Sequence, residues 1–396
     1  VSQPRVFATL PSHPHTGGPV MLSPESRQRD FPNLGDRVYL NTAAEGIPPL
    51  TVRQALLDYF EDKQLGMDGR QRHAAQWQEA KRLTGEFFQL SPDEVTICSC
   101  SSEAFNLAAA ALQLREGDEV VINELDFPAG ATPWLQESSP ATVHVWRSRG
   151  GALRVEDLVP FLNTRTRLVT TSLVSFFNGF QVDLPALLDA VRKHSPALVA
   201  VDVTQALGRI PLRLAGVDLI VSSTHKWILA SHGGGLVGIP RAAADRWYVP
   251  AGGWFHLEDP FGARRFEQAR SKPGAAGFTV GMPNYPAVYA IRAALQYIQS
   301  VGVAAIDHAA RPLVEMCLAE LARLPVELLT PVEPQSLAGI VAIRHPKSDQ
   351  IHARLHAQRI HVMSHAGRLR VAIHGYNTPQ DVETLLRELR AALAAV

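Results

Sequence analysis

The 396-residue chain has few cysteines, no excess charge of either sign and no long apolar run. The three cysteines, Cys98, Cys100 and Cys317, cannot form a disulfide framework, so a reducing compartment fits best and we predict a cytoplasmic protein. Lys+Arg and Asp+Glu both number 38, so no overall field favours nucleic acid or an anionic membrane as partner. No apolar run approaches the roughly 20 residues that span a bilayer, and the first residues lack the apolar core of a secretion signal.

The pattern that is present is an alternation of strands and helices. Apolar residues make up 46% of the chain and charged residues 19%, as in soluble globular proteins. From about residue 50 to 240, β-rich runs such as "EVVINEL" and "ALVAVDVT" alternate with helical patterns such as "DLPALLDAVRKH". This alternation predicts an α/β fold with a largely parallel sheet, in which sites gather at the carboxyl ends of the strands.

Changes in composition predict three parts of the chain. Residues 1–36 are proline-rich with little periodicity, which is typical of an extended N-terminal arm. Residues 46–254 carry the alternating pattern and are predicted to form a large domain. Residues 37–45 and 255–396 are predicted to form a smaller α+β domain, with a long helix near 286–300.

A lysine and an aspartate end two of the predicted strands. Lys226 follows the apolar run in "DLIVSSTHKW"; a lysine that loses hydration there is easier to deprotonate, as attack on a carbonyl requires. A solvated loop lysine is the commoner alternative. Asp202 ends the strand in "ALVAVDVTQALG", where a carboxylate is costly unless a cation such as a protonated heterocyclic nitrogen pairs with it. A helix-capping aspartate is the alternative.

Three further strand ends carry weaker signals. Ser101 and Ser102 lie between a strand and a helix and predict either a phosphate cradle or a simple helix cap. Phe127 predicts either a cover for a flat ring or a core residue, and Asn178 either a tight turn or a donor to a ring substituent. In this order along one sheet, the five signals supply what pyridoxal phosphate needs: a Schiff-base lysine, an aspartate for the pyridine nitrogen, a stacking ring and phosphate ligands.

With these motifs the chain resembles the class V aminotransferases, fold-type I pyridoxal-phosphate enzymes that include cysteine desulfurases, selenocysteine lyases, isopenicillin N epimerases and kynureninases. The resemblance extends from "VYLNTAAEGIPP" to "LRVAIHGYNTPQDVETLL", and "VDVTQALG" with "SSTHKW" is its most specific part. It implies a large domain with a mostly parallel seven-stranded sheet, a smaller α+β domain, and a homodimer with the active site near the interface.

The resemblance also implies individual roles. Lys226 would bind the cofactor and act as the base at the substrate α-carbon, and Asp202 would pair with the pyridinium nitrogen. Phe127 would stack on the ring, as in kynureninases and some epimerase-like members, where desulfurases have a histidine. Arg370 matches the arginine that grips the substrate α-carboxylate through a bidentate pair. The other implied contacts are Gln205 and Asn178 near the ring hydroxyl, Asn178 also facing the substrate carboxylate, and Ser101, Ser102, Ser223 and His225 around the phosphate.

The chain departs from the family pattern at two places. Desulfurases carry a reactive cysteine on a loop shortly before the arginine, but "RIHVMSHAGRLR" contains no cysteine, so we predict that no persulfide forms. The family turn "GTPN", whose hydroxyl reaches the partner's phosphate in dimeric members, is "GMPN" here. Met282 therefore lacks that hydroxyl, although its backbone N–H could still donate across a dimer interface.

The predicted function is a pyridoxal-phosphate enzyme acting on a small α-amino acid, with cleavage at Cβ, as in C–S lyases and kynureninases, as first choice. Epimerisation or racemisation and transamination are the alternatives, because Lys226 as general base serves all three. A non-catalytic binding protein would be expected to lose the lysine or the aspartate, and a nicotinamide-binding domain needs a glycine-rich fingerprint that is missing. We predict no metal. Residues that by resemblance border the site could select a polar or acidic side chain or could be solvated surface: Arg70, Arg72, His73, His361 and His365.

Overall fold

The computed structural model describes residues 21–333 and 337–396, and predictions on residues 1–20 fall outside the described residues. The strands, in chain order, are β1 Val38–Tyr39, β2 Val95–Cys98, β3 Glu119–Asn123, β4 Thr142–Trp146, β5 Thr166–Ser172, β6 Leu198–Asp202, β7 Leu219–Ser223, β8 Gly235–Gly238, β9 Glu327–Leu328, β10 Ile340–Arg344, β11 Ile360–His361, β12 Met363–His365 and β13 Arg368–Ala372.

The α-helices are α1 Pro24–Asp30, α2 Leu50–Gln64, α3 Arg70–Phe88, α4 Ser101–Leu112, α5 Pro128–Ala131, α6 Val155–Leu158, α7 Leu184–His194, α8 Tyr285–Val301, α9 Val303–Leu321, α10 Ser348–Ala357 and α11 Pro379–Ala394. Short 3₁₀ turns cover Pro32–Leu34, Pro92–Glu94, Thr132–Leu135, Val159–Phe161, Arg241–Arg246 and Gly274–Phe278. Within the described ranges, no helix is long and apolar enough to cross a bilayer.

A seven-stranded sheet in the order β2–β8–β7–β6–β5–β3–β4 forms the centre of the larger part. The neighbours from β7 to β4 are parallel, and β8 runs antiparallel to both β7 and β2. Strands β2, β3, β6 and β8 are buried along their whole length, because helices cover both faces of the sheet. The predicted α/β fold with a mostly parallel seven-stranded sheet is confirmed.

The smaller part is a four-stranded antiparallel sheet in the order β12–β13–β10–β9. Apolar side chains of β10 and β13 form a second core with residues of α9, α10 and α11. Strand β1 pairs in parallel with β11 and so joins the start of the described chain to this part. Strand β13 carries Arg370 opposite Ala342 of β10 and Met363 of β12.

Helix α8 packs against the large sheet's helices, although the predicted boundary assigned it to the small domain. Its N-terminus is capped by Asn284, whose side chain accepts a hydrogen bond from the Ala287 N–H, with Pro286 in the first turn. Buried residues 287–295 of this helix belong to the same apolar core as α2 and α3. The division of the chain into domains stays a prediction.

The predicted extended arm is wrong for residues 24–30, which form α1. Ser23 caps this helix, and Ser23 and Ser26 form a reciprocal capping box. Pro24 starts the helix rather than breaking it, because proline at the first helical position loses no intrahelical hydrogen bond. The segment is fixed by Phe31, whose buried ring contacts the ring of Tyr297 at 5.8 Å between centroids.

Candidate active site

Lys226 lies three residues beyond the end of β7 and is 9% exposed. Burial lowers the pKa of its ammonium to about 8, against the opposing effect of the Asp202 carboxylate. Its Nζ lies 5.1 Å from the centroid of the Phe127 ring. The side chain is therefore not a solvated loop lysine, and its lowered pKa suits proton transfer near neutral pH.

Asp202 ends β6 in the adjacent strand and is buried. Its Oδ1 accepts a hydrogen bond from the Thr204 N–H at 2.8 Å, and burial raises the pKa of the carboxyl group. Thr204 Oγ1 in turn accepts the Ser223 N–H at 2.9 Å, which joins the ends of β6 and β7. A buried carboxylate of this kind is stabilised by a cation held beside it.

The predicted phosphate end of the site brings two distant serines together. Ser101 Oγ and Ser223 Oγ lie 2.8 Å apart, one at the start of α4 and the other at the end of β7. The helix cap is Cys100, whose Sγ accepts from the Glu103 N–H, so the alternative of a serine cap is not the observed geometry. Ser102 is exposed in the first turn. Hydroxyls at a helix N-terminus form a suitable anion site.

His225 precedes Lys226 and stacks on His232, with 4.4 Å between the ring centroids. Burial, followed by the nearby Lys226 and His232, lowers the pKa of His225 to about 4, so the ring is neutral at pH 7. Glu45 lies 3.3 Å from the Nε2 of His232. The ligand atoms of Glu45, His225 and His232 all lie within 4.8 Å of one another and could hold a metal ion, a possibility that the prediction of no metal did not include.

The ring of Phe127 is 42% exposed. Its exposed surface is available for a flat ring to stack on. Phe176 meets it edge-on, with 5.0 Å between centroids and an angle of 89° between the planes. Sequence reasoning missed Phe176, because nothing in "SFFNGF" distinguishes a site phenylalanine from a core one.

Arg370 is 2% exposed and has no acidic partner among the described residues. Its Nη1 donates to the Phe176 carbonyl oxygen at 2.8 Å, and its buried Nε has no hydrogen-bond partner. Burial, together with the neighbouring Arg368 charge, lowers the pKa of this guanidinium to about 9. A buried cation without a counter-ion is costly, so the site favours an anionic ligand.

Gln205 is buried, and both ends of its amide have protein partners. Nε2 donates to the Ala43 carbonyl oxygen at 3.0 Å, and Oε1 accepts from the Trp227 indole N–H at 2.6 Å. One amide hydrogen is thus committed to the backbone of the N-terminal segment. The predicted contact of Gln205 with a ring hydroxyl stays a prediction.

Asn178 is 1% exposed and fastens a loop. Its Nδ2 donates to the carbonyl oxygens of Gly151 at 2.7 Å and Leu329 at 3.2 Å, and its Oδ1 accepts from the Phe180 N–H at 3.1 Å. Both amide hydrogens are given to the backbone in this arrangement. The predicted role of Asn178 toward the ring hydroxyl and the substrate carboxylate stays a prediction. In the observed contacts, the Asn178 amide stabilises the backbone of the loop.

Gly46 was not predicted as part of the site, yet it packs directly on the backbone of Lys226. Its N–H donates to the His225 carbonyl oxygen at 2.8 Å. A Cβ at this position would collide with the carbonyl oxygen of Lys226, so no other residue fits without a backbone shift. Gly46 and Lys226 lie 180 positions apart, so local sequence periodicity could not predict their contact.

Met282 is 45% exposed in the turn before α8. Asn284 of the same turn donates to the Gly233 carbonyl oxygen at 3.2 Å, which holds the turn against the glycines that follow Lys226. The expected contact of Met282 with a partner's phosphate stays a prediction.

Two of the residues assigned to the site mouth have structural partners instead. His73 is buried, and its Nδ1 lies 2.9 Å from the Tyr289 hydroxyl. Tyr289 donates to Asp62, and Arg72 pairs with the same carboxylate at 2.7 Å. The remaining three differ in exposure: Arg70 and His365 are exposed, and His361 is half-buried.

Taken together, a buried lysine, a buried carboxylate, an open aromatic ring and an anion cradle lie at adjacent strand ends. Asp202 suits a cationic ring nitrogen, and the Ser101–Ser223 pair at the start of α4 suits a phosphate. These groups fit pyridoxal phosphate. The fold and the site thus define a fold-type I pyridoxal-phosphate enzyme.

The comparisons with known proteins agree with this class. The family model "Aminotransferase class-V" matches residues 38–385. The chain therefore belongs to the class-V aminotransferase family, whose enzymes depend on pyridoxal phosphate, and the resemblance stated from the motifs is confirmed. An uncharacterized aminotransferase, YcbU of Bacillus subtilis, is 27% identical over 381 residues, covering 93% of this chain and 98% of that protein.

Solved structures show the same fold. The apo cysteine desulfurase of Thermococcus onnurineus NA1 superposes with a TM-score of 0.85 at 21% identity, covering 94% of this chain and 98% of that one. The cystine C–S lyase C-DES, solved with its product cysteine persulfide, has a TM-score of 0.82 at 23% identity, covering 91% of this chain and 98% of that one.

Proposed function

We propose that this enzyme acts on a small α-amino acid and cleaves it at Cβ without a cysteine persulfide on the protein. The observation that carries the proposal is the tight hairpin between β12 and β13, which leads directly to Arg370. Its two-residue turn, Ala366 and Gly367, has φ angles of 51° and 74°, as in a type I′ hairpin. A two-residue turn leaves no loop that could carry a thiol to the substrate.

The positions of the three cysteines support the same conclusion. Cys98 and Cys317 are buried, and burial raises the pKa of the Cys317 thiol to about 12 and that of Cys98 further. Cys100 is exposed, but it caps α4 beside Ser101, at the proposed phosphate end of the site. None of the three lies on the hairpin that carries the arginine.

On the basis of this arrangement we propose a task for each side chain. Bound pyridoxal phosphate supplies the electron sink that stabilises negative charge at the substrate α-carbon. Arg370 holds the substrate α-carboxylate, and Ser101, Ser223 and His225 hold the phosphate. Asp202 keeps the ring nitrogen protonated, because the cationic nitrogen offsets the cost of burying the Asp202 carboxylate. Lys226, with a pKa of about 8, takes the proton from the substrate α-carbon, and in an elimination the side-chain fragment then leaves Cβ with the electron pair of the broken bond.

The choice of Cβ cleavage rests on the missing thiol and on C-DES, a cystine C–S lyase of the same fold. Lys226 would serve as the base in epimerisation and transamination as well. These reactions are therefore the alternatives, and the match to the aminotransferase YcbU favours transamination as the second candidate.

We also propose a homodimer with the active site near the interface. Large apolar side chains on α2 and the turn after it are exposed in the described chain, among them Leu57, Phe60 and Met67. A cluster of this kind on a monomer surface is typical of a contact with another protein. Light scattering coupled to size-exclusion chromatography should give about twice the mass of 43.2 kDa; a monomeric mass contradicts this part of the proposal. The cytoplasmic location stays a prediction.

An amino-acid panel in deuterated buffer, followed by NMR, tests the reaction type. Cβ cleavage should give pyruvate and ammonia, or alanine, together with the released side-chain fragment. Exchange of the α-proton for deuterium without net loss indicates epimerisation, and formation of the matching keto acid indicates transamination. Changing Cys98, Cys100 and Cys317 to serine together should leave the rate within about twofold; loss of activity in a folded triple variant would contradict the cysteine-independent mechanism.

A further inference from the structure

Arg368 is a second buried arginine on β13, two residues before Arg370. It is 2% exposed, its Nε has no hydrogen-bond partner, and no carboxylate of residues 21–333 or 337–396 forms an ion pair with it. Burying a guanidinium without a counter-ion is costly, and a ligand that supplies a negative charge would offset that cost. The role of Arg370 toward the α-carboxylate does not account for it.

The neighbours across the sheet add positive charge. Arg368 lies opposite Arg344 of β10 and His365 of β12. Arg344 has its own partner, Glu327, at 2.8 Å, and this carboxylate forms no ion pair with Arg368. The Arg344 charge lies beside Arg368 and, after burial, contributes to lowering the pKa of its guanidinium to about 10. Among the described residues, no carboxylate thus neutralises the Arg368 charge.

Arg368 contacts the same loop as Arg370. Its Cζ lies 4.1 Å from the Phe177 ring centroid and 5.5 Å from that of Phe176. Arg370 binds the carbonyl oxygen of Phe176, and the Phe176 ring meets Phe127, which lies under the Nζ of Lys226. Arg368 therefore contacts the same loop that Arg370 binds, and this loop contacts the aromatic ring beside Lys226.

The spacing of the two arginines matches a small diacid. Residues i and i+2 of a strand project from the same face, with Cα atoms roughly 7 Å apart. Arg368 is buried with the Phe177 ring 4.1 Å from its Cζ, and a buried guanidinium makes a stronger bidentate contact with a carboxylate than an exposed one. A ligand that offers one carboxylate to each arginine would neutralise both buried charges.

We propose that Arg368 binds an acidic group at the end of the substrate side chain, so that the substrate is an α-amino acid with a second carboxylate-like group. The proposal rests on the proposed function, in which Arg370 holds the α-carboxylate. Arg368 is then a specificity-determining residue, because a neutral side chain leaves its charge unpaired.

The test is equilibrium binding to the cofactor-loaded enzyme, followed by the change in the visible spectrum of the cofactor. Aspartate, glutamate, asparagine, glutamine and alanine are titrated into wild type, Arg368→Gln, Arg368→Lys and the control Arg344→Gln. Wild type and Arg344→Gln should bind the better of the two acids about 10- to 100-fold more tightly than its amide. Arg368→Gln should lose this preference while alanine affinity stays within about threefold, and Arg368→Lys should retain part of it.

The outcomes separate this inference from the function on which it rests. Equal affinity of acids and amides for wild type, or an acid preference that survives in folded Arg368→Gln, overturns the role of Arg368. A response to neutral amino acids alone also overturns it but leaves the proposed function in place. An enzyme whose spectrum responds to no amino acid contradicts both.

Discussion

Replacing Lys226 by methionine in the cofactor-free protein should remove a defined part of the pH dependence of stability. Burial lowers the folded-state pKa of Lys226 from 10.5 to about 8. Between these values the unfolded chain binds more protons than the folded one, so stability rises with pH across this window. Below pH 8 the folded protein carries a buried ammonium that costs roughly 3 kcal/mol, and about 2 kcal/mol of this is recovered between pH 7 and pH 9.5.

Urea unfolding at the two pH values measures the effect. Wild type should gain about 2 kcal/mol more free energy of unfolding on going to the higher pH than Lys226→Met does. The exposed Lys193 provides the control, because Lys193→Met should show the wild-type pH dependence. If wild type and Lys226→Met gain the same free energy of unfolding, the Lys226 ammonium is not desolvated in the folded protein, contrary to the predicted site.

Two further predictions concern the groups around the lysine. Gly46→Ala should lower the free energy of unfolding by about 1–3 kcal/mol, because the new methyl group collides with the Lys226 carbonyl; Gly252→Ala, in open space, should change it little, and equal effects in urea unfolding would contradict this. Ser101→Ala and Ser223→Ala should each weaken pyridoxal phosphate binding about 10-fold in a fluorescence titration, since each loses a hydrogen bond to a charged phosphate. Unchanged affinity in both variants would show that the phosphate is not bound by these two serines.

The part of the site that follows successive strands was predictable from sequence. Asp202, Ser223 and Lys226 follow apolar runs of a parallel sheet, and the carboxyl ends of such strands meet at one edge. Hydrophobic periodicity alone therefore brings these residues together. Each of these residues, considered alone, has a commoner structural role. Only their order along the chain indicated a cofactor site.

The part that was missed depends on contacts between distant segments. Gly46 is needed because the backbone of Lys226 passes against it, and no local pattern encodes this approach. Phe176 and Arg368 meet across the boundary between the large sheet and the small one, and either could be a core or surface residue by sequence. In the arm, proline content suggested an extended chain, but the Ser23 capping box and the burial of Phe31 favour a packed helix.

The most direct test of the central claim is to locate the cofactor on the chain. The purified protein is reduced with borohydride, digested and analysed by mass spectrometry for a pyridoxyl group. We predict a yellow protein that carries the group on Lys226, and a Lys226→Ala variant without a labelled peptide. A protein that takes up no pyridoxal phosphate, or a label on another lysine, would contradict it.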